Sequence, residues 1–96
     1  GGPSMIFPTI HLNGTSPEML RRGYEDARLA VGRAITAMEA IEFNSRDYYP
    51  QGSAAFPLAS AEQSQRYSRL LTVQAELEKL EMHVQDAIDA REAQKR

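Results

Sequence analysis

Apolar residues recur along the chain at alternating spacings of three and four, in two stretches separated by a polar segment rich in breakers. In the first stretch Leu20, Tyr24, Ala27, Val31, Ala34, Met38 and Ile41 keep that spacing. It is the heptad rule that lines side chains up on one face of an α-helix. In the second, Leu70, Val73, Leu77, Leu80, Val84 and Ala87 do the same, and Tyr67, Leu71 and Ile88 widen the stripe. The pattern predicts helices over about 17–43 and 58–93 and an all-α fold.

The ends carry their own signals. Thr15-Ser16-Pro17-Glu18 starts the first helix: Ser16 caps, proline takes the first helical position, and Glu18 faces the positive end of the dipole. Thr15 with Glu18 also fits a capping box, which would shift the cap by one residue. Gly23 and Gly32 each weaken a helix by about 1 kcal/mol relative to alanine, so packing must hold it. The second helix is expected to begin at Pro57 or behind a Ser60 cap with Gln63. Between the helices, residues 44–53 (Asn-Ser-Arg-Asp-Tyr-Tyr-Pro-Gln-Gly-Ser) form the hinge. It is longer than most bundle connections, which leaves room for a task beyond turning.

Before the first helix, residues 6–12 (Ile-Phe-Pro-Thr-Ile-His-Leu) are rich in β-branched and aromatic residues but broken by proline. A lone strand has no partner, so this segment reads as an extended arm whose Ile6, Phe7, Ile10 and Leu12 lie on a helix or on another subunit. Gly1 to Ser4 read as a cloning remnant. The expected organisation is residues 1–4, an arm over 5–16, and a helical hairpin over 17–96.

The two helices form an antiparallel hairpin with a coiled-coil-like seam. Each helix then has one neighbour, and apolar side chains beside the seam stay in water. Leu29, Ile35, Leu71 and Ile88 are the expected interface residues, because burying one such side chain contributes about 1.5–3 kcal/mol. Association into a helical bundle follows. A dimer closing a four-helix bundle is the simplest form, and a ring meets the same need.

Composition narrows function chiefly by exclusion. The chain has 96 residues, no cysteine and a formal charge of −2. Absent cysteine removes thiolate chemistry and sulfur-ligated zinc. A slightly acidic balance argues against direct nucleic-acid binding, which rests on phosphate neutralisation. No apolar run reaches the ~20 residues of a membrane span, so no membrane partner is expected and the cytoplasm is the expected location.

No catalytic constellation emerges, and neither a cofactor nor a metal is expected. His11 and His83 sit on different elements without a His or Cys companion at ligand spacing, so His83 reads as a half-exposed helix histidine. The carboxylates of the second helix, Glu76 to Glu92, read as a solvated face. Arg21, Arg22, Arg28 and Arg33 make one side of the first helix basic, best read as ordinary surface pairing. Only the hinge invites a binding role. Arg46, Asp47, Tyr48 and Tyr49 combine the residue types favoured at binding hot spots, although tyrosines that fold back to plug the bundle end explain the same sequence.

Residues 9–16 (Thr-Ile-His-Leu-Asn-Gly-Thr-Ser), Gly23-Tyr24 and residues 46–52 (Arg-Asp-Tyr-Tyr-Pro-Gln-Gly) together resemble a group of small uncharacterised all-α proteins of tailed bacteriophages and prophages. Their genes lie near head and packaging genes. The resemblance runs from Thr9 to about His83 and implies a non-enzymatic accessory role in assembly, in the bacterial cytoplasm or within a virion. A small inhibitor of a host protein is the competing expectation. The hairpins exported by type VII secretion are similar only in architecture, since the chain has no tryptophan for their Trp-x-Gly hinge.

Overall fold

The computed structural model describes residues 5–95, so the reading of residues 1–4 falls outside the described residues, as does Arg96. Two long helices pack side by side and give an elongated molecule of 67 × 28 × 21 Å. Helix α1 spans Pro17–Glu39 and helix α2 spans Ala55–Gln94. They form a helical hairpin, and no described residue lies in a strand.

Helix α1 starts as its sequence predicts. The Ser16 hydroxyl accepts from the Met19 amide at 3.2 Å, and Pro17 occupies the first turn, where its missing N–H costs nothing. The helix ends at Glu39, four residues short of expectation. The Ala40 and Ile41 amides bond back to Thr36, Ala37 and Met38 carbonyls, closing the last turn tightly. At about 100° per residue, continued helix would carry Phe43 roughly 140° around from Met38, away from α2. Leaving the helix early lets Phe43 turn inward instead.

Two 3-10 turns, Ser45–Asp47 and Tyr49–Gln51, reverse the chain. Gly52 closes the second at φ 114°, a conformation that favours glycine. Helix α2 then starts at Ala55, not behind Ser60. Pro57 is accommodated because it falls in the first turn.

The seam differs from the predicted one in a regular way. In α1 Tyr24, Val31 and Met38 are half-buried as expected, and so are Leu20 and Ala27, but Ala34 is exposed and Arg21, Arg28 and Ile35 join the covered face. In α2 Leu70, Leu77 and Val84 are covered as expected and Leu80 and Ala87 are half-buried, but Val73 is exposed and Gln74 and Glu81 join Tyr67 and Ile88 on the covered face. Burial carries this correction: Gln74 and Glu81 are half-buried whereas Val73 is 42% exposed and Ala34 is exposed. Ile35 is 7% exposed within the single chain. It belongs to the intrachain seam, which corrects its expected place at a subunit interface.

Polar residues in the seam bring their own partners. Arg28 Nε donates to Glu81 Oε1 at 2.6 Å. Gly32 lets α2 come close, since a Cβ there would stand 3.3 Å from Gln74 Nε2. The arm meets α2 at His83, which shares its side of the helix with the half-buried Leu80 and Ala87. His83 Nε2 is 2.9 Å from the Pro8 carbonyl oxygen, and the Phe7 and His83 rings lie 4.9 Å apart. Val84, between arm and seam, is 0% exposed.

Candidate functional site

The four hinge residues do not act as a set. Phe43, Tyr48 and Phe56 form an aromatic triangle with ring centroids 5.3–5.9 Å apart. The triangle closes the gap between the end of α1 and the start of α2, and tilted rings at these distances attract. Tyr48 is thus the plug of the bundle end. Tyr49, one residue on, is 69% exposed, and Arg46 and Asp47 are exposed beside it. Asp47 N–H donates to the Asn44 carbonyl at 3.1 Å, which fixes the first 3-10 turn.

The expected interface residues also separate. Leu29 and Leu71 are exposed at 45% and 40%, Ile88 is half-buried at the seam, and Ile35 is buried. The structure adds apolar side chains in water that the sequence reading did not single out as such. Met19, Leu58 and Met82 stand out on the helices, and Ile6 and Leu12, expected to lie on a helix or on another subunit, are 93% and 98% exposed and so do not pack on a helix of their own chain. Their signal in the sequence is weak, because none repeats at heptad spacing.

Half of the basic side of α1 is paired within the chain, Arg21 and Arg28, while Arg22 and Arg33 are exposed. Arg28 bridges to Glu81, and Arg21 pairs with Glu25 one turn on. The hydrogen bond that Arg28 donates to Glu81 raises the Arg28 pKa above its ordinary value, desolvation opposes this, and the carboxylates of Glu81, Glu78 and Glu25 add to the rise. The guanidinium keeps its charge in any case.

Two open hollows accompany these surfaces. One of about 380 Å³ lies between the end of α1 and the start of α2, lined by Met38, Phe43, Gln63 and Tyr67 among others. The other, about 450 Å³, lies where the arm turns into α1, with His11, Ser16, Glu18 and Arg91 around it. Here Glu18 opposes the attraction that Arg91 and the helix start exert on an anion. Among the described residues no three His, Asp or Glu side chains converge as metal ligands, and no helix is long and apolar enough to cross a membrane.

No family model, curated protein or solved structure matches the chain. The functional reading therefore stands on the surfaces just described.

Proposed function

We propose that the protein is a non-enzymatic assembly module that associates with further copies of itself, an accessory protein of a phage or prophage serving the virion head or packaging. One observation carries the association: among the described residues only Ile35 and Val84 are buried hydrophobics, against eleven large hydrophobics left exposed. A core this thin gives little burial to offset the cost of ordering the chain, and further copies would supply the missing surface. Association completes a helical bundle around the exposed rows of both helices. The phage setting is supported by the sequence resemblance alone.

Sedimentation equilibrium and thermal melts over a hundredfold range of concentration test the reading. An associating protein gains mass and melts higher as concentration rises. A monomer mass at every dilution, with an unchanged melting temperature, overturns it.

A second reading draws on the hinge. Exposed Tyr49 beside Arg46 and Asp47 offers a compact polar-aromatic tip suited to binding one host protein. Capture of a single bacterial protein by the wild type, lost in Tyr49→Ala, favours this reading over an assembly role.

A further inference from the structure

Glu62, Arg69, Glu76 and His83 recur at intervals of seven along α2 and so share one lengthwise row. Glu62, Arg69 and Glu76 alternate in sign, and the His83 imidazole ends the row with an N–H that can donate a hydrogen bond to a carboxylate. Such a row is antisymmetric about its centre, between Thr72 and Val73. A second α2 laid antiparallel across that centre sets Arg69 against Glu76 of the second copy, and Glu62 against its His83. Both contacts occur twice by symmetry. Within the single chain Arg69 and Glu76 have no ion-pair partner among the described residues, and both are exposed.

Beside this row runs an apolar one, Val73, Leu80 and Ala87. Val73 is 42% exposed, whereas Leu80 and Ala87 are half-buried on the side where the arm lies. The apolar row therefore begins in water and continues toward the arm. The arm is held at His83, by the hydrogen bond to the Pro8 carbonyl and by the Phe7 ring tilted against the imidazole. Its Ile6 and Leu12 stay almost wholly in water while Pro8 and Ile10 are half-buried and Phe7 is 38% exposed, so docking in cis buries only part of its apolar surface.

We infer that the arm is a strap occupying the face of α2 that a second copy of α2 takes in an antiparallel pair, with His83 contested by both. This rests on the self-association proposed above and names its surface. Charge pattern favours a second copy over an unrelated partner, because the row is complementary to itself and its central Arg69 and Glu76, which have no ion-pair partner among the described residues, meet when two copies cross antiparallel, whereas Glu62 already lies 4.0 Å from Arg66. With the strap in place, association is held back. Once it lifts, Val73, Leu80 and Ala87 become one continuous contact row.

The test uses the full chain in low salt, with dissociation constants from sedimentation equilibrium and helicity from circular dichroism. Phe7→Ala loosens the strap without touching the α1–α2 seam, and it is expected to tighten association about tenfold at unchanged helicity. Glu76→Arg is expected to weaken association by about tenfold, and Arg69→Glu with Glu76→Arg, which inverts both charges, to restore it. If the wild type associates and Phe7→Ala leaves the constant unchanged or weaker, the strap is overturned while the self-association reading stands. If the double variant fails to recover, the antiparallel register is overturned. Absence of association in both the wild type and Phe7→Ala removes the inference and the reading beneath it together.

Discussion

The two ends of the hairpin solve the same packing problem with different means. At the end where the chain termini lie, three elements meet: the arm, the start of α1 and the last third of α2. Val84 is completely buried there, and a cross-helix ion pair joins Arg28 to Glu81 nearby. At the hinge end no third element is available. Three aromatic rings, Phe43, Tyr48 and Phe56, do the filling, while Ile41, Tyr49 and Leu58 remain exposed. A two-helix unit buries a side chain fully only where something covers it from a third direction, and the arm is the one segment that does so.

The largest way to break this contrast is Val84→Asp. An unpaired carboxylate under the arm costs about 3–5 kcal/mol, and the expected result is loss of the cooperative helical melt followed by circular dichroism. Next comes a pair of substitutions that separates seam from surface. Ile35→Ala removes the buried aliphatic of α1 and is expected to lower stability by about 2–4 kcal/mol in denaturant titration, whereas Leu71→Glu should leave hairpin helicity intact. At the hinge, Tyr48→Ala removes two ring contacts and should destabilise by about 1–3 kcal/mol. Tyr49→Ala, whose ring is in water, should not move the midpoint. The smallest effect runs the other way. A Cβ at Gly23 meets nothing within 4 Å, so Gly23→Ala should raise the melting midpoint with a gain of about 0.5–1 kcal/mol.

Much of this architecture was legible in the residues. The Ser16-Pro17 start, the hinge and one row of each seam follow from capping chemistry and heptad spacing. The polar members of the seam did not, and the reason is physical. Periodicity finds apolar positions, but the seam here accepts Arg28, Gln74 and Glu81 because they face one another or meet a glycine across it. Val73 looks like core by spacing yet is 42% exposed, while Leu80 and Ala87 are half-buried one turn either side of His83, where the arm docks. The sequence does not reveal that an extended segment with a proline will choose this side. That choice depends on His83 meeting a carbonyl 75 residues away. Tyr48 and Tyr49 illustrate the same limit at short range: adjacent and chemically alike, they are separated by the twist of a 3-10 turn.

That same span of 75 residues orders events in time. The aromatic triangle joins Phe43 to Phe56 across a short loop, so the hinge end closes at little entropic cost and α1 and α2 zip away from it. The arm has its α2 docking face only when the helices are already aligned as far as His83. It is therefore the last piece to settle and the first to leave. Hydrogen exchange should fall into two tiers, with fast exchange along residues 5–12 superimposed on slow, concerted opening of the helices.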